Sequence, residues 1–336
     1  MSYKVQLEKQ VYIAGQTISG KIVCNFAKNK TVNSIKIRVI GEERVKWQEE
    51  IQIGMANVES YPVTSNVFLK KDTVLYTGGT QFQKMASSEC QFGIKLPEVL
   101  PSTYKNEFGS IRYFLLGIAS EDQRHYKTKV KFTLINIIDL NTLSQEFFEP
   151  ISSYSERKLS FFCFSGGILS LEIFLHKKAF TTGEVATVKV KLKNTSNVRS
   201  KSVKLELVER ITARIPETVP RSKIHRKVLS RAGCLINFPR GENVFNLPLL
   251  IPENFTILKF DGSSIWNVEY YVVATCVLSS WHTDLVVTSD VIIGHIEAYR
   301  RHQNPPSLST RESAPPPYST LPRNQQHKIE VAESNV

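Results

Sequence analysis

The chain has 336 residues, of which 41% are hydrophobic and 22% charged, and its formal net charge is +12. This length fits two domains followed by a short tail, and this composition excludes a largely disordered or membrane-embedded chain. The most apolar segment, residues 161–175, spans 15 residues and contains Glu172. A membrane helix needs about 20 apolar residues, so we expect no transmembrane segment.

The first residues, MSYKVQLEKQVYIAG, lack the long apolar run of a secretory signal, so we expect a cytoplasmic protein. Five cysteines stand far apart without a CxxC pair, which is typical of free thiols rather than of a disulfide framework or a zinc site. These are Cys24, Cys90, Cys163, Cys234 and Cys276. The alternative, a secreted adhesive protein, requires occupied glycosylation sequons at Asn29, Asn194 and Asn254.

Two segments alternate apolar and polar residues with the period of two that is typical of half-buried strands. They are SIKIRVI at 34–40 and SVKLELV at 202–208, which lie 168 residues apart. The same offset superimposes residues 7–22 on residues 175–190 without a gap. The matching pairs are Leu7 and Leu175, Lys9 and Lys177, Tyr12 and Phe180, Gly15 and Gly183, and Lys21 and Lys189. The sequence therefore predicts a duplicated domain in which the two glycines mark the same tight turn.

Short apolar runs elsewhere are separated by glycine- and proline-containing turns, and no long helical period is present. This pattern predicts an all-β protein with two tandem antiparallel, immunoglobulin-like β-sandwiches. We place the first sandwich at residues 1–145 and the second at residues 161–296. Residues 146–160 are expected to link them, and residues 297–336 to form a disordered tail.

A basic segment, RITARIPETVPRSKIHRKVLSR, spans residues 210–231. Pro216 and Pro220 argue against a continuous helix, so we expect a long loop between two strands. Its densest cations are Arg221, Lys223, Arg226 and Lys227. They are candidates to bind phosphates on a receptor tail or anionic lipid headgroups. The alternative is a solvated basic surface that contributes only solubility.

The tail contains the sequence PPPY, formed by Pro315, Pro316, Pro317 and Tyr318. Consecutive prolines favour the polyproline II helix, which has three residues per turn and therefore directs the first proline and the tyrosine to one side. WW domains bind such PPxY motifs in aromatic grooves. A second stretch, NPPSLST at 304–310, has Leu308 where the tyrosine is needed and is a degenerate copy. The alternative is a low-complexity linker with an incidental tyrosine.

The chain resembles the arrestin domain-containing proteins, the α-arrestins. The resemblance rests on KLPEVLPSTYKNEFGSIRYFLLGIA (95–119), FSGGILSLEIFLHKKAFTTGE (164–184), LPLLIP (247–252) and NVEYYV (267–272). It departs from the family where a Pro-Gly pair is common in the first turn of each domain, because Ala14 and Thr182 precede the two glycines here.

The resemblance implies a trafficking adaptor whose sandwiches engage a membrane cargo protein, a receptor or transporter, while the tail recruits a WW-domain HECT ubiquitin ligase. Ubiquitination, endocytosis and sorting of the cargo would follow, with recruitment to the plasma membrane and endosomes. The alternative is a structural subunit of a sorting coat, similar to the arrestin-fold component of retromer, with an incidental tail.

We expect neither an enzyme nor a cofactor or metal site. The seven histidines are scattered without metal-ligand spacing, and no GxSxG elbow or phosphate-binding glycine loop occurs. The nearest candidate for catalysis is Cys276 with His282, which is more typical of a core cysteine and a surface histidine. Nucleic-acid binding is not expected, because no zinc finger, RNA motif or basic recognition helix is present.

Overall fold

The structure is a computed structural model that describes residues 2–25, 30–82, 87–121, 124–161, 164–216, 220–238, 240–279 and 282–298. Within these residues the chain is almost entirely β-strand, and the only helices are two short 3-10 turns, Leu140–Thr142 and Gln145–Phe148. The predicted all-β class is therefore confirmed.

The strands of the first half are β1 (Ser2–Leu7), β2 (Val11–Ile13), β3 (Thr17–Asn25), β4 (Lys30–Lys46), β5 (Glu49–Ile53), β6 (Ala56–Ser60), β7 (Val63–Phe82), β8 (Ser87–Lys95), β9 (Tyr104–Lys105), β10 (Gly109–Glu121) and β11 (Arg124–Ile135). Those of the second half are β12 (Ile151–Phe161), β13 (Phe164–Leu175), β14 (Ala179–Thr181), β15 (Val185–Asn194), β16 (Ser200–Ile215), β17 (Arg221–Phe238), β18 (Gly241–Leu250), β19 (Trp266–Leu278) and β20 (Leu285–Gly294).

The chain divides into two compact units. The first comprises Met1–Ile138, Arg210–Lys227 and Thr256–Glu269, and the second comprises Asp139–Glu209, Val228–Phe255 and Tyr270–Val336. Strand β16 therefore begins in the second unit and ends in the first. Residues 146–160, predicted as a link between domains, include most of β12, which pairs antiparallel with β13.

The first unit is a sandwich of two sheets. One has the order β1-β3-β8, and the other has the order β2-β11-β10-β4-β7, with β9 added to β10 and a separate hairpin formed by β5 and β6. Neighbouring strands in these two sheets pair antiparallel, except β2 and β11, which pair parallel. Ile35, Ile37 and Val39 on β4 are fully buried and share a core with Ile18 and Ile22 of the facing sheet. The alternation read from the sequence thus places the correct face of β4 inside.

The second unit repeats this plan. Its sheets have the orders β12-β13-β15-β18 and β14-β20-β19-β16-β17, so each strand of the first unit's two main orders has a counterpart. Val203, Leu205 and Leu207 on β16 are fully buried, as their alternation predicts. Strand β12 is an addition at one edge, and β14 pairs parallel with β20 just as β2 does with β11.

The repeat of 168 residues holds in detail at the turn after β2 and after β14. Gly15 has a φ of 81° and Gly183 a φ of 80°, the left-handed region that only glycine enters without steric cost. A Cβ at Gly15 would lie 3.3 Å from Glu98 Cγ, and one at Gly183 would lie 3.0 Å from Glu253 Oε1. The turn therefore requires glycine at both positions, and a larger residue there would also crowd the side chain of a neighbouring glutamate.

No helix in the described residues is long and apolar enough to span a membrane.

Candidate functional site

The tail motif of Pro315, Pro316, Pro317 and Tyr318 lies outside the described residues, as does its degenerate copy at 304–310. Its role stays a prediction from the sequence.

The basic segment is a strand rather than the loop that we expected. The cations Arg221, Lys223, Arg226 and Lys227 all lie in β17, which begins directly after Pro220, while β16 ends at Ile215. Pro216 and Pro220 therefore stand next to strand ends. Strand β17 is at the end of its five-stranded sheet, where charged side chains are common because they discourage pairing with another chain.

Arg221 is held by an acidic partner within the first unit. Its Nη1 donates to Glu49 Oε1 at 2.8 Å and to Ser60 Oγ at 3.2 Å, while Trp47 Nε1 donates to Glu49 Oε2 at 2.7 Å. Hydrogen bonds from Trp47 and then from Arg221 lower the pKa of Glu49, with a smaller contribution from the charge of Lys223. Arg221 therefore stabilises the open end of the β5–β6 hairpin, and its guanidinium group is already paired with the carboxylate of Glu49.

The other three cations differ in their surroundings. Lys223 is half-buried, whereas Arg226 and Lys227 are exposed and form no ion pair or hydrogen bond with other described residues. Between them and Lys223, His225 lies with its Nδ1 3.8 Å from Glu107 Oε1. Successive strand residues point to opposite faces, so Arg226 and Lys227 face apart. The structure therefore does not bring the four cations together into one pocket.

A buried acid that the sequence interpretation missed lies on β4. Glu43 is fully buried and accepts hydrogen bonds from Asn66 Nδ2 at 3.0 Å, from Ser264 Oγ at 2.9 Å and from the Ser264 backbone N–H at 3.2 Å. Ser263 Oγ also donates to it. No ion pair to Glu43 is found in the part of the chain that the structure describes. This Glu43 cluster ties the segment Thr256–Glu269 to β4 within the first unit.

The sequence carried a signal for this cluster. Glu43 continues the inward series of Ile35, Ile37 and Val39 at the same period of two, so extending the pattern beyond residue 40 would have placed an acid at a buried position. The turn FDGSS at 260–264 supplies the two serine donors, and Gly262 there has a φ of 88°.

Potential catalytic groups are poorly placed for chemistry. Cys276 is fully buried, and burial raises the pKa of its thiol, so it is protonated and weakly nucleophilic. Burial also raises the pKa of Cys24 to about 12. Within the described residues no group of three or more His, Cys, Asp and Glu side chains is arranged to hold a metal ion, and the four cysteines there are free thiols.

Comparison with known proteins gives matches over most of the chain. Residues 2–141 match the model of the arrestin (or S-antigen) N-terminal domain, and residues 165–298 match that of the arrestin (or S-antigen) C-terminal domain. Human arrestin domain-containing protein 5 is 25% identical over 303 residues, covering 85% of both chains. Arrestin domain-containing protein 17 of Caenorhabditis elegans is 28% identical over 213 residues, covering 61% of this chain and 50% of the relative. Human thioredoxin-interacting protein is 24% identical over 196 residues, covering 56% and 48% respectively.

Proposed function

The chain belongs to the α-arrestin family of arrestin domain-containing proteins, and from this premise we propose that it is a non-enzymatic trafficking adaptor. It links a membrane cargo protein, a receptor or transporter, to a WW-domain HECT ubiquitin ligase. Holding the ligase beside the cargo raises the effective concentration of cargo lysines at the ligase active site. Ubiquitination, endocytosis and sorting follow, and the adaptor works at the plasma membrane and on endosomes without an active site of its own.

The observation that carries this proposal is the PPPY sequence at 315–318, which follows the second arrestin domain at a distance of 16 residues from its matched end at residue 298. Consecutive prolines favour the polyproline II helix, so little ordering entropy is lost when a WW domain binds such a motif. In that helix the side chains of Pro315 and Tyr318 would project from one side and fill adjacent aromatic sites of the groove.

On the cargo side, the exposed cations of β17 are proposed to bind the membrane cargo protein. Arg226 and Lys227 have no described acidic partner and are therefore available to a phosphorylated or acidic cargo tail, whereas Arg221 serves the β5–β6 hairpin.

The test is a pull-down of full-length protein with a purified WW domain from a HECT ligase. We expect Tyr318→Ala to lower the affinity at least about tenfold, because the tyrosine pocket of the groove is left empty. Leu308→Ala, in the degenerate copy, is the matched control and should bind as the unaltered protein does. Equal binding of the Tyr318→Ala variant would contradict the ligase link and favour a structural coat subunit with an incidental tail.

A further inference from the structure

The outer face of the six-stranded sheet in the first unit carries a regular array of side chains. Strands β11, β10, β4 and β7 are neighbours in that order, and their register aligns three consecutive rows across the sheet. The rows, which we call the basic face, are Lys131, Phe114, Ile40 and Lys70; then Lys129, Leu116, Arg38 and Asp72; then Lys127, Ile118, Lys36 and Val74. The intervening residues of the two central strands are buried: Ile37 and Val39 on β4, and Leu115 and Gly117 on β10.

Positive charge dominates the basic face. Six of its twelve residues are Lys or Arg and one is an acid, Asp72, which gives it a net charge of +5. Asp72 is fully used by Arg38, whose Nε and Nη2 donate to its two carboxylate oxygens at 2.5 and 2.6 Å. The five lysines form no ion pair with other described residues, and all five are exposed.

The centre of the basic face is apolar. Leu116, Ile118 and Ile40 are partly exposed, and the ammonium group of Lys129 lies over the Phe114 ring, with Nζ 3.4 Å from the ring centre. The lysines of β11 border this apolar stripe on one side, and those of β4 and β7 border it on the other. Neighbouring strands are about 4.8 Å apart, so β11 and β7 are separated by about 14 Å.

The second unit shows that the fold does not require these lysines. Thr133 of β11 lies beside Val11 of β2, and Ile292 of β20 lies beside Ala179 of β14, so the two pairs are equivalent under the repeat. Counting back along β20, the positions equivalent to Lys131, Lys129 and Lys127 hold Asp290, Thr288 and Val286. The same architecture is thus built without a lysine row, so the strand order does not depend on the lysines of β11.

We propose that the basic face binds the surface of an anionic phospholipid bilayer. Its cations are spread in two rows over a broad open face and do not converge on a pocket, which suits many mobile headgroups better than a single phosphate. Exposed lysines on the strands that flank a partly exposed aliphatic stripe are an arrangement that can place aliphatic side chains at the headgroup boundary and charges among the headgroups. The contact would orient the first unit at the membrane independently of the ligase-binding tail.

The experiment measures co-sedimentation of the full-length protein with vesicles of phosphatidylcholine alone or with 30% phosphatidylserine, an amount we choose on the order of a natural anionic leaflet. Binding is expected only to the anionic vesicles and should weaken strongly in about 1 M salt, where the Debye length falls to about 3 Å. The triple variant Lys127→Gln, Lys129→Gln, Lys131→Gln should bind about 100-fold less tightly, since each lysine near an anionic surface contributes about fivefold.

The matched control is the triple variant Lys189→Gln, Lys191→Gln, Lys193→Gln, which removes the same charge from an alternating lysine row on β15. It should retain the vesicle affinity, and circular dichroism should show both triple variants folded. If the β11 variant does not fold, the single substitutions Lys127→Gln and Lys131→Gln replace it, each with an expected loss of about fivefold.

Equal losses in both triples, binding to neutral vesicles, or unchanged binding of the β11 variant would overturn the proposal. Binding of the unaltered protein to an acidic peptide but not to the anionic vesicles would also overturn the proposal.

Discussion

Two adjacent glutamates on β4 show how strongly the environment of one residue decides its role. Glu42 faces outward and pairs with Arg112, whose Nη2 lies 2.8 Å from Glu42 Oε1. Glu43 faces inward, is fully buried, and is satisfied by the neutral donors of Asn66, Ser263 and Ser264. An exposed ion pair contributes about 0–1 kcal/mol, whereas a buried carboxylate with several donors stabilises more and is costly to remove.

Glu43→Ala should lower the free energy of unfolding of the first unit by about 2–3 kcal/mol, because the side chains of Asn66, Ser263 and Ser264 lose their acceptor. Urea unfolding followed by tryptophan fluorescence measures this, since Trp47 and Trp266 are both buried in that unit. Glu42→Ala is the matched control and should cost about 1 kcal/mol or less. Equal losses in the two variants would mean that the Glu43 cluster contributes no more to the free energy of unfolding than the exposed Glu42 ion pair does.

At the scale of elements, β17 shows where sequence patterns were insufficient. Pro216 and Pro220 suggested an irregular loop, yet each proline has a place at a strand end, where no ladder hydrogen bond is lost. The dense charge also hid the strand, because an edge strand tolerates exposed cations that a central strand would not. Strand β17 pairs with β16, the strand that directly precedes it in the chain.

The ion pair of Arg221 with Glu49 was unpredictable because it is a long-range contact. The two residues are 172 positions apart in the sequence, and nothing in either local pattern connects them. The period of two, in contrast, is local, and it correctly predicted the buried faces of β4 and β16. Extended to residue 43, the same period places Glu43 inside, but it does not reveal the donors from Asn66, Ser263 and Ser264.

If β17 contacts cargo phosphates, the double variant Arg226→Glu, Lys227→Glu should bind a fluorescent doubly phosphorylated peptide at least about tenfold more weakly, because both cations become repulsive. Fluorescence anisotropy measures the affinity. Lys201→Glu with Lys204→Glu, two exposed lysines of β16, gives the same change in net charge. A loss of the same size in this control would attribute the effect to overall charge and not to β17.

At the scale of the whole molecule, the gapless repeat of 168 residues was the most informative pattern in the sequence. A repeat of domain length predicts two copies of one architecture, and the two units have the same strand orders in their paired sheets. The copies have since diverged on their outer faces, where the first unit carries lysines and the second carries Asp290, Thr288 and Val286. Topology is therefore retained by the core, while function is free to differ on each surface.

Under the proposed function, the tail sets the strength of the link between this duplicated fold and the ligase. The one intact motif at 315–318 would give a single contact, so a ligase with several WW domains would use one of them at a time. Leu308→Tyr would complete a second PPxY motif from Pro305 and Pro306, ten residues before Tyr318. Two motifs joined by a short linker raise the effective concentration of the second contact into the mM range.

We therefore expect Leu308→Tyr to strengthen binding to a tandem pair of WW domains by about 10- to 100-fold while leaving the affinity for one isolated WW domain within about twofold. Isothermal titration calorimetry with both ligands measures the difference. In the Tyr318→Ala background, Leu308→Tyr should restore binding to the isolated domain, because either motif fills the same groove. An equal gain for single and tandem domains would show that position 308 improves the existing contact and does not add a second one.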